Sequence, residues 1–240
     1  MNLNNKTAII TGASRGIGKC IATMLAEHGC NVMLTARDTV KLKGVCENII
    51  NNGGQAAFTK CDVSSETDIN NAVNATIQQF GRIDIVVNNA GIGRYGPLES
   101  STTADWDAMM NVNARGTYLL CRQSIPYLRQ QKQSFIINIG SVVSHKGYAD
   151  QAIYAASKQA MLGMSKALAR ELQADNIRVH AVCPGGVATD LVAQARPDLD
   201  RTVLMHPDEI ADVVLFLVTR RGNAVIDEIN IRRAASTPWA

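Results

Sequence analysis

The feature that most constrains the fold is a regular alternation of short apolar runs with longer segments of helical periodicity. Seven apolar runs, several of them rich in Val and Ile, predict strands at 7–11, 31–35, 56–60, 83–88, 134–140, 178–182 and 224–231. Segments with apolar residues three or four positions apart predict helices at 16–28, 39–52, 66–80, 103–131, 151–174 and 207–219. This alternation implies parallel strands joined by right-handed crossovers. The chain is therefore expected to be α/β, with a doubly wound parallel sheet of about seven strands and helices on both faces.

The composition is consistent with one large core. The chain has 240 residues, of which 46% are hydrophobic, and no linker or internal repeat divides it. Residues 1–240 are thus expected to form a single domain. The least regular segment, 187–206, follows Pro184-Gly185-Gly186 and contains Pro197. It is predicted to be a substrate-loop insert over the carboxyl edge of the sheet, where open α/β folds bind ligands.

Charge and hydropathy argue against several classes of partner. The net charge is only +3 and no dense run of Lys and Arg occurs, so no nucleic acid is expected. No stretch of about 20 apolar residues is present, which argues against a membrane span. The N-terminal residues lack the pattern of a signal peptide, and six scattered cysteines without a C-x-x-C pair predict free thiols in a cytoplasmic protein. Since the four histidines do not cluster with the cysteines along the sequence, no metal site is expected.

A glycine-rich turn follows the first predicted strand. Residues 11–18 read TGASRGIG, and an amphipathic helix begins within them. Gly12, Gly16 and Gly18 permit a tight turn, and the helix N-terminus offers free N–H groups to a pyrophosphate. Because no G-K-[ST] follows, the turn is not a P-loop. It predicts the dinucleotide site of a Rossmann fold, with contacts from Ser14, Arg15 and Ile17 as well.

The end of the second strand indicates which nicotinamide the site prefers. A carboxylate there would bind the free ribose hydroxyl of NAD, but the strand ends in Leu34-Thr35-Ala36-Arg37. Arg37 offers a 2′-phosphate a bidentate, charge-assisted partner, and Arg15 in the glycine turn can reach the same group. The predicted cofactor is therefore NADP(H). Asp38 is expected to cap the next helix.

Tyr154 and Lys158 are the candidate reacting groups. They stand four residues apart in a helical segment, so the phenol and the ammonium share one face. A nearby cation favours phenolate, and a phenol with a lowered pKa can serve as general acid and base. Lowering a pKa by about 3 units takes roughly 4 kcal/mol. Lys158 alone is not expected to supply that, so a bound, positively charged nicotinamide ring should contribute.

These motifs, in this order, resemble the short-chain dehydrogenase/reductase family, and in particular its NADP-preferring, 3-oxoacyl-[acyl-carrier-protein] reductase-like members. The resemblance covers residues 6 to 220 and includes Asn88-Asn89-Ala90-Gly91 and Tyr154-Ala155-Ala156-Ser157-Lys158. It implies that Asp62 and Val63 lie beside the adenine and that Thr189 binds the carboxamide. The remaining cofactor contacts that it implies are Asn88, Asn89, Ala90, Gly91, Tyr154, Lys158, Pro184, Gly185 and Val187.

The same resemblance assigns two further catalytic residues. Ser141, at the end of the fifth strand, is expected to hydrogen-bond the substrate oxygen, with Ser144 as a weaker rival. Asn113 matches the family asparagine that holds a water next to the lysine. Tyr95, Trp106 and His145 could border the substrate site, although packing or surface roles are equally consistent with the sequence.

The predicted function is an NADP(H)-dependent oxidoreductase that acts on a CH–OH/C=O pair of a small molecule. The alternatives are a 3-oxoacyl-[acyl-carrier-protein] reductase, for which Arg122, Arg129 and Lys132 could supply a basic surface, and an enzyme that oxidises a hydroxy acid or polyol. A remote alternative is a non-catalytic NADP(H)-binding sensor. Family members are commonly dimers or tetramers, so a homo-oligomer is expected. The C-terminal segment lacks the glycine pair of many relatives, and Trp239 there suggests a docked tail.

Overall fold

The predicted α/β architecture is confirmed. The structure is a computed structural model that describes residues 3–195, 199–220 and 222–238. Its strands are β1 (Thr7–Thr11), β2 (Asn31–Ala36), β3 (Gln55–Lys60), β4 (Ile85–Asn88), β5 (Ser134–Ile139), β6 (Ile177–Pro184) and β7 (Glu228–Ile231). They form one seven-stranded sheet in the order β3-β2-β1-β4-β5-β6-β7, and every described pair is parallel. This is the strand order of a Rossmann fold.

Helices cover both faces of the sheet. They are α1 (Gly16–Glu27), α2 (Thr39–Asn51), α3 (Glu66–Phe80), α4 (Thr103–Met109), α5 (Gly116–Leu128), α6 (Ala152–Glu171), α7 (Asp190–Ala195) and α8 (Pro207–Thr219). One core cluster packs α1, α2 and α8 against the sheet, and a second packs α3 and α5 against the other face. The side chain of Asp38 caps α2, as predicted, and Ser65 caps α3.

The prediction of one continuous helix at 103–131 is wrong, because the structure has two helices there, α4 and α5. Between α4 and α5 the chain forms a π-helical segment, Met110–Arg115. The wider turn carries Asn113, whose side chain hydrogen-bonds both the N–H and the carbonyl of Ile92. The helical periodicity of the sequence does not reveal this π-helical segment.

The last strand is shorter than predicted. Pairing begins at Glu228, whereas the apolar pattern predicted a start at residue 224. The carbonyl of Ile226 lies 2.6 Å from Nδ1 of His180, so part of this backbone is directed to a side chain and not to the ladder. Similarly, β4 begins at Ile85 and not at residue 83; the carboxylate of the preceding Asp84 accepts the N–H of Thr7.

The predicted insert at 187–206 contains more regular structure than expected. It includes α7 and a short 3-10 helix, Arg201–Val203. Its two ends are held together, since the N–H of Ala188 donates to the carbonyl of Met205 at 2.8 Å. Pro197 and Trp239 lie outside the described residues.

The structure bears on two expectations, that no segment spans a membrane and that the cysteines are free thiols. Within the described residues, no helix is both long and apolar enough to cross a bilayer. All six cysteines are free thiols, as predicted. A cytoplasmic location remains a prediction.

Candidate active site

A cavity of about 360 Å³ opens at the carboxyl edge of the sheet, above β1 and β4. These neighbouring strands mark the point where the strand order reverses, which is where doubly wound sheets bind ligands. The predicted cofactor contacts that line it are Gly12, Ser14, Arg15, Gly16, Ile17, Arg37, Asp62, Val63, Asn89, Ala90, Gly91, Tyr154, Lys158, Pro184, Gly185, Val187 and Thr189. The structure therefore brings nearly the whole predicted set onto one surface.

The glycine turn has the geometry of an anion cradle. Gly12 and Gly16 adopt φ values of +66° and +54°, which L side chains rarely adopt. A Cβ on Gly12 would lie 3.0 Å from the Cα of Ala90. Among the described residues no side chain caps the N-terminus of α1, and its first turn carries no acid. The free N–H groups and small residues fit a phosphate group.

Gly18 has a different role from the one predicted, because it does not line the cavity. A Cβ there would lie 2.4 Å from Nδ2 of Asn89 and 2.5 Å from the carbonyl oxygen of Gly12. This glycine therefore lets α1 pack closely against the turn. Asn89 holds the turn from the other side, since its Nδ2 donates to the carbonyl of Thr11 at 2.8 Å.

Asn88 also departs from expectation. Its buried side chain donates to Oδ1 of Asn138 at 2.8 Å and does not line the cavity. This hydrogen bond connects β4 to β5, so the side-chain amide of Asn88 has its partner within the sheet. Asn88 and Asn138 are paired in register on these strands, which explains the contact.

Positive charge gathers at the end of the cavity nearest β2. Arg37 and Arg15 both line it, and so does Lys41, which the sequence analysis overlooked. Lys41 lies in the first turn of α2, four residues after Arg37. Arg15 donates to the carboxylate of Asp190 at 2.9 Å, so its guanidinium is paired with the first residue of α7.

Asp62 lies at the same end. Burial would raise the pKa of its carboxyl, but hydrogen bonds from Ser64 and the charge of Arg37 outweigh that cost and lower the pKa. The carboxylate accepts from the N–H and the hydroxyl of Ser64 at 3.0 and 2.7 Å. Asp62 is therefore held as an anion that can accept hydrogen bonds from a ligand.

Ser141, Tyr154 and Lys158 meet at the opposite end of the cavity. Ser141 ends β5 and begins a 3-10 helix, while Tyr154 and Lys158 stand one turn apart on α6. Tyr154 and Lys158 are only 7% and 5% exposed. Ser144 does not line the cavity; it accepts the N–H of Ser141 and donates to the carbonyl of Lys158. The geometry therefore favours Ser141 over Ser144 as the residue that faces a ligand.

Within the protein alone, the surroundings of Tyr154 oppose an acidic phenol. Burial raises the pKa of Tyr154, the neighbouring Tyr95 raises it further, and a hydrogen bond with Ser141 only partly offsets this. Burial also lowers the pKa of Lys158 to about 8. Its ammonium donates to the carbonyl of Ile139 at 2.9 Å. Both shifts favour the neutral form, as desolvation requires.

Asn113 lies behind the reacting groups. Its Nδ2 donates to the carbonyl of Ile92 and to Oγ of Ser157, each at 2.9 Å. A Cβ on Gly91 would lie 3.3 Å from Oδ1 of Asn113 and 3.5 Å from Nζ of Lys158. Asn113 thus positions the wall of the cavity next to Lys158. Its water-holding role stays a prediction.

The structure also resolves the weaker candidates. Tyr95 packs on Tyr154, with ring centroids 5.4 Å apart and an angle of 51° between the rings. Trp106 is largely exposed and does not line the cavity. His145 lies in the turn after the 3-10 helix, where its Nε2 is 2.6 Å from Oε1 of Glu228.

Comparison with known proteins gives a family match. A family model described as short chain dehydrogenase matches residues 6–200. A 3-oxoacyl-[acyl-carrier-protein] reductase of Thermotoga maritima is 34% identical over 237 residues, which is 95% of this chain and 96% of the relative. Carbonyl reductase family member 4 of Xenopus tropicalis is 36% identical and covers 89% of this chain and 91% of its own length.

Solved structures agree with this match. A metagenomic short-chain oxidoreductase in complex with NADP superimposes with a TM-score of 0.86 at 38% identity, over 98% of this chain and 100% of that one. An alcohol dehydrogenase from the archaeon Thermococcus sibiricus, complexed with 5-hydroxy-NADP, gives a TM-score of 0.91 at 26% identity, over 98% and 99% of the two chains.

Proposed function

The chain belongs to the short-chain dehydrogenase family, and from that premise we propose that it is an NADP(H)-dependent oxidoreductase that interconverts a small-molecule carbonyl and its alcohol. One observation carries the proposal: Ser141, Tyr154 and Lys158 line the same cavity as the glycine turn. A proton donor, an oxygen-binding hydroxyl and a dinucleotide cradle are thereby within one site.

The cavity supports NADP(H) as the cofactor. When bound, the nicotinamide supplies the hydride in reduction and accepts it in oxidation. The turn at Gly12 and Gly16 would hold the pyrophosphate, and Arg37 with Lys41 would hold the 2′-phosphate. Asp62 and Val63 would border the adenine. The residues that would hold the nicotinamide end are Pro184, Gly185, Val187 and Thr189.

The chain's own groups handle the proton and the substrate oxygen. The hydroxyl of Ser141 donates a hydrogen bond to that oxygen and stabilises charge that develops there. The phenol of Tyr154 gives the oxygen a proton in reduction and takes it back in oxidation. Lys158 lies one helical turn away and, with Asn113, would return a proton to the phenol between turnovers.

A 3-oxoacyl-[acyl-carrier-protein] reductase is the second candidate, favoured by the Thermotoga maritima relative. The basic surface that it would need is weakened by pairing. Arg122 is paired with Glu66, and Arg129 donates to Asp175 at 2.8 Å. Arginines already paired with acids attract an acidic carrier less strongly. This favours a small-molecule substrate, with oxidation of a hydroxy acid or polyol as the same chemistry in reverse.

Three finer features complete the proposal. Residues 187–206 form the substrate loop, since α7 within them lines the cavity through Leu191 and Val192. The enzyme is a cytoplasmic homo-oligomer, a dimer or tetramer assembled through the helices around Asn113 and Tyr154. Tyr118 on α5 is a large exposed side chain, as such an interface requires.

A substrate panel tests the proposal. Ketones, acyl thioesters of acyl carrier protein and of pantetheine, and alcohols are assayed by NADPH absorbance, with NADH as the control. We expect ketone reduction that prefers NADPH. A strong preference for the carrier-bound thioester over the pantetheine thioester would establish the second candidate. If the chain binds NADPH but none of the panel is turned over, the sensor alternative replaces both.

A further inference from the structure

Three potential metal ligands converge beside the active site. His145 follows the 3-10 helix after Ser141, Cys183 lies near the end of β6, and Glu228 begins β7. The ligand atoms of His145, Cys183 and Glu228 all lie within 4.8 Å of one another. These residues are far apart in sequence, so the sequence pattern does not indicate the group.

Strand register explains two members of this group. Glu228 is the cross-strand partner of Ala181, and Cys183 is two residues further along β6. Residues i and i+2 of a strand share one face, so the thiol and the carboxylate lie on the same side of the sheet. The loop after β5 crosses that side and adds the imidazole.

Two members of the group, the Cys183 thiol and the Glu228 carboxylate, can offer negative charge to a cation. Burial raises the pKa of the Cys183 thiol, and the carboxylate of Glu228 raises it further. Two nitrogen atoms lie near that carboxylate. His145 Nε2 is 2.6 Å from one oxygen and Lys166 Nζ is 3.9 Å from the other. The His145 contact is an ion pair only when the imidazole is protonated. Hydrogen bonds with Ser144 and Ser141 and the charge of Lys158 partly offset the rise in the pKa of the Cys183 thiol.

We propose that His145, Cys183 and Glu228 form a binding site for one divalent transition-metal ion of the Zn²⁺ class. One imidazole nitrogen, one thiolate and one carboxylate oxygen suit this borderline-soft ion. Three protein ligands leave a fourth position for water. Binding releases the thiol proton, and that of any protonated imidazole, to solvent. No electron transfer is involved.

The site is separate from the cofactor cavity but coupled to it. None of His145, Cys183 and Glu228 lines that cavity. However, the residue before His145 is Ser144, which accepts the N–H of Ser141 at 3.3 Å and donates to the carbonyl of Lys158 at 3.4 Å. An ion that fixes His145 therefore constrains the loop that positions Ser141. We expect bound Zn²⁺ to slow turnover; this coupling rests on the proposed function, whereas the metal site does not.

Cobalt(II) titration of the reduced, cofactor-free full chain tests the site without any activity measurement. We expect a near-ultraviolet thiolate-to-cobalt charge-transfer band that saturates at one ion per chain and is abolished by Zn²⁺. Cys183→Ser should remove the band. His145→Ala and Glu228→Gln should each weaken binding at least about tenfold, the smallest loss expected even for an outer-shell partner.

Cys20→Ser is the matched control. Its thiol also lies near a carboxylate, with Sγ 4.0 Å from Oδ1 of Asp208, but it is not part of the three-residue group. We expect the band to be unchanged in this variant. A wild-type chain without the band, or a band that survives Cys183→Ser, would overturn the site. If a chain that shows the cobalt band keeps its turnover at saturating Zn²⁺, only the coupling is overturned.

Discussion

The two ends of the cofactor cavity differ in how they hold charge. At the reacting end, Tyr154 and Lys158 are 7% and 5% exposed. At the other end, the side chains of Arg15 and Lys41 are 54% and 55% exposed. Burial makes ionisation costly at the first end, whereas the cations of the second remain solvated. We infer that the buried end determines the rate of proton transfer and the exposed end determines the choice of cofactor.

The burial of the reacting end bears directly on the pKa of Tyr154. Burial raises the pKa of its phenol and lowers that of Lys158 to about 8, so the protein alone opposes the charged form of each. The lysine therefore does not by itself make the tyrosine acidic. The remaining stabilisation of the phenolate has to come from the positive charge of an oxidised nicotinamide when it is bound.

The largest expected effect is at the buried end. Tyr154→Phe should keep NADPH binding but reduce turnover by at least about 100-fold, the scale of lost acid–base catalysis. Initial rates and a fluorescence titration of NADPH measure the two properties separately. Tyr95→Phe is the matched control: it keeps the ring that packs 5.4 Å from Tyr154, so its rate should stay within a few-fold of wild type. Equal turnover by Tyr154→Phe would remove the mechanism.

The next effect is at the exposed end. Arg37→Ala should raise the KM for NADPH by about 10- to 100-fold, the worth of a charged hydrogen-bond partner, and leave that for NADH unchanged. Lys41→Ala should act in the same direction but more weakly. Lys43→Ala is its control, because Lys43 pairs with Glu47 and does not line the cavity. The assignment fails if Arg37→Ala weakens both cofactors equally.

A stability measurement sharpens the contrast. Lys158 has a folded-state pKa of about 8, below its ordinary 10.5, so its buried charge destabilises the fold at pH values below 8. That penalty disappears as the pH rises to 10.5. Lys158→Met should therefore raise the free energy of unfolding by about 2 kcal/mol at pH 7, after the loss of its hydrogen bond to Ile139, and have no such benefit near pH 10.5. Urea unfolding without cofactor measures this; a gain independent of pH would contradict it.

The smallest effect concerns the ion pair that shares Arg15 with α7. Asp190→Asn frees the guanidinium for the 2′-phosphate, but an exposed pair is worth at most about 1 kcal/mol. We expect the KM for NADPH to fall by less than about fivefold, and the change to shrink as salt is added. A rise in this KM would mean that the pair orders the loop and does not compete with the cofactor.

The sequence predicted the parts of this structure that depend on periodicity and on local turns. The glycine turn, Arg37 and the Tyr154–Lys158 spacing all lie within single elements or at their ends, so the pattern sufficed. Periodicity could not show that the side chain of Asn88 hydrogen-bonds Asn138, because that contact depends on the register between β4 and β5. The cluster of His145, Cys183 and Glu228 was missed for the same reason, since only the sheet brings those residues together.

The most direct test of the account is a titration of the tyrosinate absorbance of the wild-type chain and of Tyr154→Phe, with and without NADP⁺. The difference between the two chains isolates the phenol of Tyr154. We predict that, without cofactor, its pKa lies above the ordinary value of 10, as burial requires, and falls by several units when NADP⁺ binds. A phenol that is already acidic in the free protein, or one whose pKa NADP⁺ leaves unchanged, would contradict the account.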